Sequence, residues 1–230
     1  MNRRMFLARV ALSMTVLSNV MACDVLPKRL PTYRYRLTVE VQTPEGIKAD
    51  SSVIEVYSSI ESSLNIDNPR GLNISARGEA VAVDLPGGQT LFALLSRSDG
   101  IAFQGRYASG ALLGDDFGGY SYEEGLLELI KRKDVAEVQR QNYPMLVRFG
   151  DINDPKTVEQ VNPDDLSGSF GHGFTLKSIN IQITDDPMTN RLDAALPSLG
   201  KYPELSLNPA HDPNDHRLSS TLHVGDFIRR

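Results

Sequence analysis

Few side chains in this sequence have the type and spacing that chemistry needs. There is one cysteine, Cys23, and there are four histidines. His172 lies in "FGHGF" between two glycines, close to Ser169. A Ser-His-Asp site assembles in space, so the sequence leaves that reading open, although no G-x-S-x-G elbow is present. "HDPNDH" sets His211 and His216 around Asp212 and Asp215. Imidazole and carboxylate together hold zinc, but Pro209 just before it and Pro213 and Asn214 within it make this a loop, and no metal site is assigned. "DINDPKTVEQVN" begins like a calcium loop at Asp151, Asn153 and Asp154. A calcium loop needs an oxygen ligand at its fifth position, glycine at its sixth and glutamate at its twelfth. Here these are Pro155, Lys156 and Asn162, so the segment reads as an Asx-rich turn. Asp115-Asp116 and Glu123-Glu124 are acid pairs; they suit glycosidase chemistry only if folded to about 5–9 Å apart and otherwise read as solvated surface. No Walker, G-x-G-x-x-G or H-E-x-x-H pattern occurs, and no cofactor is expected.

Cys23 in "VMACDV" admits three readings: a reactive thiol, a buried core residue, or a point of attachment. The residues before it decide among them. "MNRRMFLARVALSMTVLSNVMA" opens with Arg3, Arg4 and Arg9, carries no acid, and continues as an apolar run from Val10 to Ala22. A basic start, a short apolar segment and a small residue form an export signal. The run is shorter than the roughly 20 residues a spanning helix needs. "VMAC" resembles a bacterial lipobox, with Ala22 just before the cut and Cys23 just after. The resemblance implies a diacylglycerol on the Cys23 sulfur and cleavage ahead of it. Two or more acyl chains anchor a protein stably, at about 0.8 kcal/mol per buried methylene. Asp24 resembles an inner-membrane retention signal. "NRRMFLA" also resembles a twin-arginine motif, alongside the general export route.

Removing residues 1–22 takes away three arginines and no acid, so the net charge of −5 becomes −8. Nucleic acid demands a basic footprint and is excluded as a partner. The expected organisation is an export signal over 1–22, a lipidated tether over 23–32 and a single globular domain over 33–230. One cysteine precludes an internal disulfide, and a domain of this length needs none.

The elements follow from periodicity. Tyr33, Tyr35, Leu37, Val39 and Val41 alternate with polar residues, the pattern of a half-buried strand. "TPEG" and the β-branched "SSVIEVYSS" complete an antiparallel hairpin with a loop longer than two residues. "EAVAVDLPGGQTLFALLS" is a second hairpin around Pro86-Gly87-Gly88, its strands apolar enough to be central. Residues 98–120 carry six glycines and read as a long loop. "YSYEEGLLELIKRK" is a helix with Leu126, Leu127 and Ile130 on one face. "PMLVRF" and "FTLKSINIQIT" are strands, with a helical turn near Asp164 between them. "DPMTNRLDAAL" reads as a helix with Pro187 in its first turn, and "RLSSTLHVGDFIRR" as a final strand. The expected class is α+β: mainly antiparallel hairpins with two or three short helices.

"YRYRLTVEVQTPEGIKADSSVIEV" and "YPMLVRFGDINDPKTVEQVNPDDLSGSFGHGFTLKSINIQITDDPMT" resemble uncharacterised bacterial proteins. These share a "YRLTVEV-x-TPEG" opening and a "DINDP-x-(S/T)-V" segment, and many look like lipoproteins. The resemblance implies a folded domain and carries no activity. The function expected is therefore a lipid-anchored envelope protein that binds a partner, such as another envelope protein. The alternatives are a periplasmic hydrolase using the glycine-rich loop and His172, or an accessory or immunity-type protein.

Overall fold

The computed structural model describes residues 26–62, 71–114, 121–199, 206–208 and 217–230. Cys23, Asp24, Asp115, Asp116, His211 and His216 lie outside them. The strands are β1 (Lys28–Arg29), β2 (Tyr33–Thr43), β3 (Gly46–Ile60), β4 (Leu72–Glu79), β5 (Val81–Leu85), β6 (Gln89–Ala93), β7 (Val135–Glu137), β8 (Leu146–Phe149), β9 (Val158–Gln160), β10 (Thr175–Ile183) and β11 (Ile228–Arg229). The helices are α1 (Phe103–Leu113), α2 (Tyr122–Leu129), α3 (Leu166–Phe170), α4 (Leu192–Ala195), α5 (Leu218–Thr221) and α6 (Val224–Phe227). The class is α+β with antiparallel pairing, as the periodicity requires.

The chain divides into two compact units, one of residues 1–30 and 58–73, the other of 31–57 and 74–230. In the smaller, Lys28 pairs with Ile60 and Arg29 with Ser59, and Leu30 N–H donates to Ser58 O at 3.0 Å. Gly71 O accepts from Glu61 N–H at 2.7 Å.

The larger unit holds two sheets. One runs β11-β4-β3-β2-β10-β7, the other β5-β6-β8-β9. β2 is central in the first. Its Tyr35, Leu37 and Val39 lie opposite Ile183, Ile181 and Ile179 of β10, all buried. A register shift between Leu176 and Ser178 brings Leu176 opposite Val41, so the four apolar residues of β10 share one face despite uneven spacing. The inward rule has a cost: the Tyr33 and Tyr35 hydroxyls are buried and find no hydrogen-bond partner among the described residues. Burial pushes both phenols well above their ordinary range; for Tyr33 the neighbouring Tyr122 and Tyr35 add to it.

In the second sheet Phe92 of β6 pairs with Val147 of β8. Its ring meets Phe149 at 5.5 Å and Phe227 at 6.3 Å, edge to face. Around them Leu94, Leu192, Leu199 and Val224 complete a buried cluster. α1 packs on α2, β7 and β10.

Six local readings differ from the structure. The first hairpin turns through Pro44 and Glu45 alone, since Thr43 pairs with Gly46. Thr43 Oγ1 closes that turn by donating to Gly46 O and accepting from Glu45 N–H, and Gly46 takes φ 109°. β5 is an edge strand of its sheet, and its residues alternate between buried and open. Its interior neighbour β6 is buried without a break over Leu91, Phe92 and Ala93. Residues 103–113 form a helix rather than loop, because Phe103, Ala108, Leu112 and Leu113 supply a buried stripe that outweighs the glycines. On α2 the buried face is Leu126 and Leu129, while Leu127 is exposed.

The helix expected at Pro187 begins only at Leu192. Upstream, Thr189 is drawn into edge pairing with Val53, donating N–H to its carbonyl and accepting its N–H on Oγ1. The buried Glu79 carboxylate then accepts from Arg191 N–H and Leu192 N–H, both at 2.9 Å, and starts α4. The C-terminal segment is two short helices and only two strand residues. Asp226 accepts from His223 N–H at 2.8 Å, and Phe227 O is taken by Ala80 N–H, so pairing with β4 is left to Ile228 and Arg229.

Candidate functional site

Three segments meet at one end of the second sheet. Arg97 and Ser98 follow β6, Arg140–Met145 precede β8, and Gln160 ends β9, with Val161, Asn162 and Pro163 following it. Between them lies a groove of about 450 Å³. Sequence keeps these residues apart; the antiparallel order β6-β8-β9 brings their ends together.

The groove is built around two arginines. Arg97 donates to Asp99 through Nε at 3.2 Å and to Gln141 O through Nη1 at 2.8 Å, and stacks on the Tyr107 ring at 4.0 Å. These contacts fix the 140–142 segment against the end of β6. Arg140 clamps Asp164 with two parallel bonds, of which Nε to Oδ1 is 2.8 Å, and lies 5.3 Å from the Tyr143 ring centre. That bidentate pair ties the two walls across the chain. The Arg140 bond holds the Asp164 carboxyl below its ordinary range, and Asp164 in turn raises Arg140. Burial, then Glu137, raises the Tyr143 phenol, so Tyr143 stays protonated and keeps its hydroxyl proton for donation. Among the described residues, the side chains of Ser98, Tyr143 and Gln160 make no hydrogen bond within the protein.

The residues singled out by sequence do not converge. Asp151 caps its own turn, accepting from Asn153 N–H at 2.9 Å. It lines a separate cavity of about 370 Å³ with Gly87, Gly88, Arg148 and Phe170. His172 is exposed in the turn after α3, and among the described residues it is hydrogen-bonded to neither a serine nor a carboxylate. Ser169 lies half-buried on α3, and among the described residues no hydrogen bond joins it to His172. Glu124 closes a capping box with Ser121, and the Ser121 hydroxyl chiefly holds its carboxyl below the ordinary range. Among the described residues no group of three or more His, Cys, Asp or Glu is placed to hold a metal, and no helix is long and apolar enough to cross a membrane.

Sequence reasoning missed Arg97, Arg140, Tyr143, Gln160 and Asp164. The only local trace is a repeated context: "RQNYP" and "NPDD" are proline-containing polar segments at strand boundaries, where side chains gather at a sheet end. The chain matches no protein-family model, no curated protein and no solved structure.

Proposed function

We propose that this chain is a lipid-anchored protein of the bacterial cell envelope that faces the periplasm at the inner membrane. There it acts as a non-enzymatic binding module through the Arg97–Tyr143–Gln160 groove. The groove carries the binding part of this reading. It is the size of a small-ligand cleft. Among the described residues its lining holds no histidine, thiol or carboxylate, and its guanidiniums are already matched to Asp99 and Asp164. Such a surface can hold a ligand but offers no group to shuttle a proton at neutral pH.

The anchoring part rests on the leader, on Cys23 at the lipobox position and on Asp24 after it. The uncharacterised bacterial proteins that it resembles, many of which look like lipoproteins, point the same way. Mass spectrometry of the membrane fraction should find the chain beginning at an acylated Cys23, and Cys23→Ala should release it to the soluble fraction. A chain recovered from the cytosol with Met1 intact and Cys23 unmodified would overturn the anchoring.

A further inference from the structure

The chemistry of the groove narrows what it can hold. Its charges are balanced in place: each guanidinium has its own carboxylate, within 3.2 Å for Arg97 and 2.8 Å for Arg140. An anion would find the positive charge of Arg97 and Arg140 already matched by Asp99 and Asp164, and a cation would find those carboxylates matched in turn, so the groove offers neither of them a net opposite charge. A neutral ligand disturbs neither pair. The apolar lining residues lie behind the surface, with Met145 8% exposed, Leu146 2% and Val161 0%. These three buried side chains offer a docking peptide little surface of their own to pack against. What a ligand can reach is mixed: the exposed Ser98 hydroxyl and Gln160 amide, the half-buried Tyr143 hydroxyl and ring, and the half-buried Pro163 ring, with Pro144 buried beneath. These are hydrogen-bonding groups that can both give and accept, set beside ring faces that can cover C–H surface.

We propose that this groove is a binding site for a short neutral saccharide. The proposal rests on the binding-module reading above and names its ligand class. Hydroxyls of the sugar pair with Ser98, Tyr143 and Gln160, and one ring face lies on Tyr143. The Arg97 and Arg140 ion pairs hold the walls in place without contributing net charge, so binding is insensitive to salt.

The test uses the mature chain with chitotriose and cellotriose as probes, read by saturation-transfer NMR and calorimetry. At least one probe should bind, with an affinity unchanged between low and high salt. Tyr143→Ala and Gln160→Ala should each weaken it by about tenfold, and Tyr143→Phe, which keeps the ring, by less. Amide spectra of the variants confirm the fold; Gln160 is exposed, so that variant keeps the measurement interpretable. If succinate or the peptide Ala-Ala-Pro-Ala binds in the groove and neither trisaccharide does, the saccharide assignment falls and the binding module stands. The saccharide assignment to this groove also falls if a trisaccharide binds but the groove variants leave it unaffected. If a trisaccharide binds and is hydrolysed, the saccharide stands and the non-enzymatic reading falls. If no probe binds, both fall.

Discussion

Glu79 shows how much one side chain can decide. It sits near the end of β4, is buried, and gives both carboxylate oxygens to the N–H groups that open α4. A glutamine of the same shape keeps one acceptor but turns an amide donor toward a backbone donor. Glu79→Gln is expected to cost about 1–3 kcal/mol in urea unfolding, because a buried donor loses its partner. An unchanged midpoint would mean that α4 starts without this cap. The surface acids make a second prediction at this scale. Asp186 is held below its ordinary range by Thr184 and then Arg36, Asp164 by Arg140, and Asp99 by the Ile101 N–H and Arg97. A carboxyl lowered in the folded state stabilises it above the unfolded range, near pH 4, and loses that contribution as pH falls through the lowered value. Stability attributable to these groups should stay level from neutral pH down to about pH 4 and decline below it. Asp164→Asn should shallow that acid limb. A decline already complete by pH 6 would implicate histidine instead.

Element by element, glycines separate into those the fold needs and those it tolerates. Gly78 of β4 has φ 143°, and a Cβ there would stand 3.0 Å from Ile54 Cγ1 and 3.1 Å from Ile54 Cα. Backbone cannot retreat as a side-chain tip can, so Gly78→Ala should cost about 1–3 kcal/mol. Gly110 is the opposite case. It lies within α1, and a Cβ added there would meet nothing within 4 Å, so Gly110→Ala should stabilise the chain by about 0.5–1 kcal/mol. Thermal unfolding of the two variants should move in opposite directions; movement in the same direction would contradict the packing described for one of them. The contrast also explains why residues 98–120 look like loop in sequence. Glycine count lowers helix propensity, but the buried stripe from Phe103 to Leu113 is what the tertiary contacts reward.

At the scale of the whole chain, the C-terminal residues belong to the core of the larger unit. Phe227 is fully buried between Phe92 and Phe149, its carbonyl accepts from Ala80 N–H, and Leu95 N–H donates to Asp226 O. Phe227→Ala should cost about 3–5 kcal/mol, the usual range for emptying an aromatic site. A loss under about 1 kcal/mol, measured by chemical unfolding, would show that the C-terminal turn docks without this ring.

Sequence alone determined what is local and periodic. Alternation in "YRYRLTVEV" set β2 and its buried face, and "LPGG" set the β5–β6 turn, because a period of two and a positive φ each need only a few adjacent residues. The basic start and apolar run before Cys23 are likewise readable without a fold. The tertiary structure decided everything that depends on who meets whom. Arg140 finds Asp164 only because β8 and β9 pair, and Arg97 reaches Gln141 only because β6 lies beside β8. The helix at α4 waits on a carboxylate more than a hundred residues earlier in the chain. Partners so far apart leave no period in the sequence, since long-range pairing is fixed by packing of the whole core rather than by the propensity of any segment.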